Sequence, residues 1–584
     1  MTDFVPPLEA IRSQMNHVAK THGIFELEGF AEINDDLTEA ILDEAGKFAQ
    51  KVLAPINVLG DREGAVCKDG DVTVPAEFID AYRQFVDNGW PSLGGNPEFG
   101  GQGVPELVVN AVYEMFTAAN LAFTLCPKLT QGGIYSILYH GTDELKQRYL
   151  EPLIEGRYTA SMDLTEPSAG SDLGRVTTMA VPEGDHYRIT GRKIYITWGD
   201  HNMAENVIHL VLARTPDAAP GSRGLSMFLV PKYLLNEDGS PGERNDMLPL
   251  SIEHKMGIHC SPTCVMSYGE EDGAIGYLVG TEGAGLASMF TMMNQMRLGV
   301  GLQGVGVAER AYQDSVYYAR DRIQGSIPGK GDVAIIEHGD VRRMLLTMRA
   351  MTVASRAVVL ETAAALDQQA HGDDDEKRSH YRIYADLLTP IAKGWCTEIA
   401  QEAASLSVQV YGGMGYVEES GVAQHMRDAR ILPIYEGTNG IQALDLVGRK
   451  LLKQGDGCMQ AVISDVRKLA ADLPADLSTE AKRLQAGADS LETTTDWLVE
   501  HHQDDPNTVS SVAYNYMMQS GTVIGGWLTL RHALAATEAG EKHARANLMT
   551  AKFYLEQLMP RAQSYAAGVT SGGASIIDFP EAMF

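Results

Sequence analysis

The chain has 584 residues, 44% of them hydrophobic, with 47 Lys and Arg against 77 Asp and Glu, a formal charge of −30. That length suits about three or four ordinary domains, and the apolar content supports a large core, which excludes global disorder. The acidic balance excludes nucleic acid and an anionic membrane surface as partners, because both need basic patches, but it leaves room for an anionic small molecule at a local basic or backbone-amide site.

Six cysteines in so long a chain are not a disulfide framework and fit a reducing compartment. The opening MTDFVPPLEAIRSQMN has an early Asp, two prolines and no apolar stretch, so no signal peptide is expected. No run of about 18 apolar residues follows, so no membrane span is expected either. These features predict a cytoplasmic, multidomain protein.

In chain order, residues 1–160 read mostly as helix. In LTEAILDEAGKFAQKVLAPIN (37–57), Ile41, Ala45, Phe48, Val52 and Leu53 share one face, and Pro55 is expected to end the helix. PELVVNAVYEMFTAANLAF (105–123) repeats the pattern, and NGWPSLGGNPEFGGQG (88–103) is a Gly- and Pro-dense loop. Near residue 160 the texture changes. HYRITGRKIYIT (186–197), NVIHLVLAR (206–214), GLSMFLVPK (224–232) and PTCVMSYGEEDGAIGYLVG (262–280) are β-rich and bounded by turn residues, and they predict a small antiparallel domain at 161–280. The helical period then holds from 283 to 453, interrupted by the solvated loop HGDDDEK (371–377). KQGDGCM (453–459) reads as a junction. In ANLMTAKFYLEQLMP (546–560), Leu548, Ala551, Leu555, Leu558 and Met559 share a face, with Pro560 as the stop. The predicted order is an α+β chain with no internal repeat: an N-terminal helical domain (1–160), a middle β-domain (161–280), a helical bundle (281–453) and an additional helical domain (454–584).

Several stretches carry candidate chemistry. RLGVGLQGVG (297–306) has Gly299, Gly301 and Gly304 at G-x-G-x-x-G spacing, but its flanks read as helix, so close helix packing is expected and not a dinucleotide fold. HCSPTC (259–264) offers His259, Cys260 and Cys264 without the second Cys/His pair of a structural zinc site, so no metal is expected. No G-x-S-x-G elbow is present, and GSIPGKG (325–331) lacks the first Gly and the Ser/Thr of a P-loop. MDLTEPSAGSDLGRVTT (162–178) supplies hydroxyls at Thr165, Ser168 and Ser171, and its Gly170 lets backbone amides approach a ligand; it suits a heterocycle or phosphate, and equally an ordinary loop. KIYITWG (193–199) sets Thr197 beside Tyr195 and Trp198, compatible with one hydrogen bond to a flat ring or with a sheet edge. VQVYGGMGY (408–416) is another glycine-rich loop. In PIYEGTNGIQ (433–442), Thr438 or Asn439 caps a helix, and Glu436 is either part of that cap or a base aimed into a pocket by the turn.

Taken together, these stretches resemble the acyl-CoA dehydrogenase family. LTEPSAGSD (164–172), KIYITWG (193–199), HKMGIHCSPT (254–263), ARDRIQG (319–325), VQVYGGMGYVEE (408–419) and MRDARILPIYEGTNGIQ (426–442) occur in the family's order and within its helix–sheet–helix layout, over residues 30–450. The PLEAIR opening, YEGTNGIQALDLVGRKLL and the extra tail look most like the family's long forms.

The resemblance implies FAD as cofactor and oxidation of an acyl-CoA to the trans-2-enoyl-CoA. The expected substrate is a short-chain thioester such as 3-(methylthio)propanoyl-CoA, with a medium- or long-chain acyl-CoA as the alternative. By the same resemblance Glu436 is the base that takes the α-proton while hydride leaves the β-carbon for flavin N5. The Glu436 backbone N–H and a ribityl hydroxyl of FAD meet the developing enolate charge. Met162, Leu164, Thr165, Gly170 and Ser171 would hold the flavin, Thr165 at the pyrimidine side and Ser171 facing pyrophosphate or substrate. Tyr195, Ile196 and Thr197 would line the ring, with Thr197 at N5; Tyr195 replaces the family's usual Trp, and Trp198 its usual Asn. Arg322 and Gln324, and then Gln409, Gly412 and Gly413, match segments that reach a neighbouring subunit's FAD. Thr438 and Asn439 complete the cofactor site. Tyr435, Gly437, Arg297 and Ser171 would face substrate, as would Asn294, which stands where many relatives have Asp; the family's usual Phe between Gln324 and Gly325 is missing. The shared sites imply a homodimer or a dimer of dimers, with electron-transferring flavoprotein as the electron acceptor. An acyl-CoA oxidase and a non-catalytic flavoprotein scaffold are the further readings on the same fold, and the retained Glu436 argues against the scaffold.

Overall fold

The computed structural model describes residues 3–503 and 506–584. They form two compact bodies, one of residues 47–104 and 119–296, the other of residues 3–46, 105–118, 297–503 and 506–584. Among the described residues, no helix is long and apolar enough to cross a membrane.

The first body is built on an eight-stranded sheet: β1 (Tyr158–Asp163), β2 (Met179–Glu183), β3 (His186–Thr197), β4 (Asn206–Arg214), β5 (Leu225–Pro231), β6 (Met247–Ile252), β7 (Thr263–Tyr268) and β8 (Ala274–Val279). The order is β6-β7-β3-β8-β5-β4-β1, with β2 beside β3 and β4. The strand NVIHLVLAR is apolar on both faces because it is buried on both. Ile208, Leu210 and Leu212 pack into one cluster with Tyr149, Leu150 and Met292, while Val211 and Ala213 pack into another with Ile189, Phe228 and Met266. The expected antiparallel domain needs one correction: β1 runs parallel to β4, in register from Tyr158 opposite Asn206 to Asp163 opposite Val211. The chain between them makes a long crossover through β2 and β3, which returns it to the same end of the sheet; a tight turn would have reversed it.

Helix α1 (Leu121–His140) lies on β1, so close at Gly133 that an added Cβ would sit 2.5 Å from the Ala160 Cβ. The helix expected over 105–123 is two helices. Asn120 leaves the helical region and accepts a hydrogen bond from the Phe123 amide at 3.0 Å, capping α1 and separating it from Glu106–Ala119. Pro55 does not end its helix. The path runs through Asp35–Phe48, a π-turn at Ala49–Leu53, a 3₁₀ turn at Ala54–Ile56 and on to Asn57–Glu63, because the proline falls in the first turn of a new segment, where no amide is needed. The buried face also differs from the expected one: Leu42 and Ala49 are buried, while Ile41 and Val52 are half-buried.

The second body is helical, with α2 (Gly285–Asp321, from Arg297 on), α3 (Gly339–His371), α4 (Asp375–Tyr411), α5 (Asn439–Leu444) and α6 (Pro506–Glu538) as its main pieces. HGDDDEK is the expected break: the Asp374 side chain accepts from the Lys377 amide at 2.7 Å and caps α4. An exposed hairpin, Ile323–Ile327 with Gly331–Ala334, was not legible in the sequence. Arg356 on α3 is buried and donates through Nε to Glu114 at 2.7 and 3.0 Å and through Nη2 to Glu309 at 2.8 Å.

The glycines of RLGVGLQGVG serve packing: an added Cβ would stand 2.7 Å from the Ala392 carbonyl oxygen at Gly301 and 2.6 Å from that of Cys396 at Gly304. A backbone oxygen in a helix cannot yield as a side-chain tip can. Gly301→Ala is therefore expected to destabilise by about 1–3 kcal/mol, seen as a lower melting temperature. The tail helix α6 packs as closely on α4. Added Cβ atoms would meet Met517 Sδ at 2.2 Å from Gly394 and the Trp395 ring at 2.2 Å from Gly521.

Candidate active site

In the helical body, the turn before α5 is held in a strained form. Glu436 has φ +56° and Gly437 φ +82°, two left-handed residues in succession, and such a conformation costs a non-glycine residue of order 1–3 kcal/mol. The surroundings enforce it. The Asn439 amide donates to Pro433 O at 3.0 Å, and the buried Gln442 donates through Nε2 to the carbonyls of Glu436 (3.3 Å) and Gly437 (3.2 Å). Thr438 caps α5, accepting from the Ile441 amide at 3.4 Å.

The Glu436 carboxylate is aimed inward, and its Oε2 is buried without a hydrogen-bond partner. Burial pushes this carboxyl up to about 7, against the pull of Arg297 and Lys393. Arg297 on α2 is buried and paired with Asp445 at 3.1 Å; Asp445 also accepts from Arg449 at 2.5 Å. Tyr435 donates its hydroxyl to Gln303, and burial pushes the phenol well above its usual range. Asn439 is buried and fully committed to α4, so its side chain is a brace of the turn.

Arg322, Gln324, Gln409, Gly412 and Gly413 are all exposed. Gln324 lies on the unforeseen hairpin, with Arg322 just before it, and Gln409 near the end of α4. Gly412 has φ +61°, and neither it nor Gly413 has any atom within 4 Å of the place a Cβ would take.

In the β-body, MDLTEPSAGSD is anchored by a residue that the sequence reading passed over. Glu166 is buried and accepts from the Thr177 amide (2.7 Å) and hydroxyl (2.7 Å), the Thr178 amide (3.0 Å) and hydroxyl (2.5 Å), and Lys193 Nζ (2.9 Å). These donors outweigh burial and hold the carboxyl down at about 2. Lys193, fully buried, also donates to Leu164 O at 3.0 Å. Opposite this anchor β3 bulges. Cys264 pairs with Ile196 and Met266 with Lys193, so Ile194 and Tyr195 together oppose Val265. The bulge puts Tyr195 at φ +61°, leaves the residue 60% exposed and frees the Ile194 amide to donate to Thr165 O at 2.9 Å. Trp198 turns inward, its indole donating to Ala122 O at 3.2 Å. Leu164 and Ile196 are buried, Met162, Thr165 and Thr197 half-buried, and Gly170, Ser171 and Asn294 exposed.

His259 is bonded to the Asp61 and Lys255 carbonyls, both Cys260 and Cys264 are buried, and no metal-ligand cluster exists among the described residues. These features fit FAD: a half-buried threonine beside an exposed aromatic on a bulge suits a flat heterocycle, and glycines facing open space, at Gly170, Gly412 and Gly413, suit phosphates that approach the backbone.

A mixed eight-stranded sheet in one body and, in a helical body, a strained turn bearing a buried carboxylate raised towards neutrality point to an enzyme of the acyl-CoA dehydrogenase type. The chain belongs to the acyl-CoA dehydrogenase family and is an FAD-dependent acyl-CoA dehydrogenase. It matches the family's N-terminal domain at 35–157, its middle domain at 161–268 and its C-terminal domain at 283–452, followed by an acetyl-CoA dehydrogenase C-terminal-like domain at 459–580. It is 43% identical to the 3-methylmercaptopropionyl-CoA dehydrogenase of Ruegeria pomeroyi, over 98% of both chains. It is 34% identical to a butyryl-CoA dehydrogenase of Syntrophomonas wolfei, over 94% of both. An acyl-CoA dehydrogenase of Bacillus anthracis, solved with FAD, shares the fold with a TM-score of 0.74 at 20% identity, over 92% of this chain and 88% of that one.

Proposed function

We propose that this enzyme dehydrogenates a short-chain acyl-CoA, with 3-(methylthio)propanoyl-CoA as substrate and Glu436 as the base. The 43% identity to the Ruegeria enzyme over nearly the whole of both chains supports the substrate. The buried, unpartnered Oε2 of Glu436 supports the base: a carboxylate with no hydrogen bond to give up, raised to about 7, is basic enough to take an α-proton near neutral pH. Gly437 and the left-handed turn direct the Glu436 amide and carboxylate to the same substrate, the amide meeting charge on the thioester oxygen. By the resemblance, Tyr435 and Arg297 of the helical body would face substrate, and Ser171 and Asn294 would be the substrate-side residues of the β-body.

FAD, when bound, supplies the hydride acceptor. Met162, Leu164, Thr165, Gly170, Ser171, Tyr195, Ile196 and Thr197 would hold its ring and pyrophosphate, and Thr438 and Asn439 the cofactor side of the Glu436 turn. The exposure of Arg322, Gln324, Gln409, Gly412 and Gly413 supports their serving the FAD of a second copy in a homodimer or dimer of dimers. Domains at 1–160, 161–280, 281–453 and 454–584, electron-transferring flavoprotein as acceptor, and a cytoplasmic location complete the reading.

The test is an anaerobic titration of the purified holoenzyme with 3-(methylthio)propanoyl-CoA, butyryl-CoA and palmitoyl-CoA in separate cuvettes. The flavin bands are expected to bleach fastest with the methylthio or butyryl thioester. Fast bleaching with palmitoyl-CoA alone would replace the substrate, and hydrogen peroxide formed at the turnover rate in air would make the enzyme an oxidase.

A further inference from the structure

If Glu436 is the base, something must hold its strained turn and balance its charge. Lys393 on α4 has no solvent exposure, and a buried ammonium persists only with partners. Its Nζ donates to Asn439 Oδ1 at 2.9 Å. Asn439 in turn donates through Nδ2 to Gly394 O (3.1 Å), Thr397 Oγ1 (3.0 Å) and Glu398 Oε1 (2.8 Å). The residue that opens α5, just after Glu436, is thus tied at several points to a single turn of α4.

The carboxylates that act on Lys393 are Glu436 and Glu398. Glu398 is occupied by Asn439 and shares a cavity wall with Tyr514 on α6, whose phenol it pushes up, whereas Glu436 Oε2 accepts nothing. Helix α6 closes on the same turn of α4, with Met517 against Gly394 and Gly521 and Gly525 against Trp395. The tail therefore reaches the Glu436 turn by two routes, a packing contact at Gly394 and the placement of Tyr514 beside Glu398.

We propose that Lys393 is a positioning residue for Glu436, and that the C-terminal helical domain, through Tyr514 and Met517, keeps Lys393 and Asn439 in register with the Glu436 turn. This rests on Glu436 being the base. The other charged and titratable groups around the turn are Arg297 from α2 with its partners Asp445 and Arg449, Tyr435 beside Glu436, and Glu398 and Tyr514. Arg297 remains when Lys393 is removed, so ionisation of Glu436 is weakened and not lost.

Lys393→Met, Lys393→Arg and Tyr514→Phe are prepared as holoenzymes. The rate of flavin bleaching by butyryl-CoA is followed across pH, and amide hydrogen exchange is followed in the segment 433–444. In Lys393→Met the acidic limb of the pH profile is expected to move up by about one unit, since an opposite charge has been withdrawn from the base, and exchange in 433–444 to quicken. Lys393→Arg keeps the charge and leaves the limb in place. Tyr514→Phe quickens exchange in 433–444 without altering segments of the β-body. An unmoved limb in Lys393→Met overturns the role of Lys393, and unchanged exchange in Tyr514→Phe overturns the role of the tail. Should Lys393→Met fail to fold, Lys393→Gln replaces it under the same pH and exchange criteria, and Tyr514→Phe decides the role of the tail on its own. Glu436→Gln separates the two ideas: if it stays active the base reading falls, whereas an inactive Glu436→Gln beside an unmoved limb in Lys393→Met removes the positioning role alone.

Discussion

Glu436→Gln is expected to slow acyl-CoA dehydrogenation by at least about 10³-fold while the protein keeps its flavin absorption. The amide fills the same space on the same turn but cannot accept the α-proton. The pH behaviour follows from the environment of the carboxylate. Because burial raises it to about 7, the wild-type rate should climb as pH rises through 7. Stability runs the other way. A carboxyl whose pKa is raised in the fold favours folding while protonated, and that contribution is lost as pH rises from its unfolded value near 4.5 through about 7. Glu436→Gln should therefore melt no lower than wild type at pH 8, and higher if the buried charge is the dominant burden. A steady-state pH profile with melting curves at pH 5 and pH 8 checks both; substantial activity in the variant would end the catalytic assignment.

The second large effect is expected at a residue that touches no reacting atom. Glu166→Ala removes the acceptor for two amides, two hydroxyls and Lys193, and leaves the lysine buried without its carboxylate. Breaking a buried pair in this way costs about 3–5 kcal/mol. The Glu166 carboxyl is held down at about 2, so its contribution is present above about 4.5 and disappears as pH falls from there towards 2. Urea unfolding should show the full difference between wild type and Glu166→Ala at pH 7 and a much reduced one near pH 2. Because the same residue fixes the loop bearing Thr165 and Gly170, the variant should also retain less FAD per chain after gel filtration. A variant as stable as wild type at pH 7 would contradict the anchor.

These two residues differ in how they can be read. Glu436 announces itself, since an acid between Tyr435 and Gly437 ahead of an apolar helical run is a local pattern. Glu166 lies in an equally visible stretch, but its importance comes from Lys193, 27 residues on, and Lys393, Asn439 and Asp445 likewise take their meaning from partners brought in by other helices. Strands such as 186–197 were legible because β-branched residues and flanking turns act locally. The bulge at Ile194 and Tyr195 was not, because it depends on the register of β7. The parallel pairing of β1 depends on where a long crossover returns, and the exposed hairpin after α2 has no buried face to impose alternation.

The seam between α4 and α6 bears on modularity. A Trp395 that needs Gly521 and Gly525 opposite it, and a Gly394 that leaves room for Met517, make one joint cut from two segments more than 120 residues apart. A chain ended near residue 453 would leave that half of the joint facing water, and grafting this tail onto another bundle would fail unless the matching face of α4 travelled with it. For engineering, the last 130 residues are not an appendage to be trimmed or exchanged; the smallest transferable piece is the tail together with the helix it clasps.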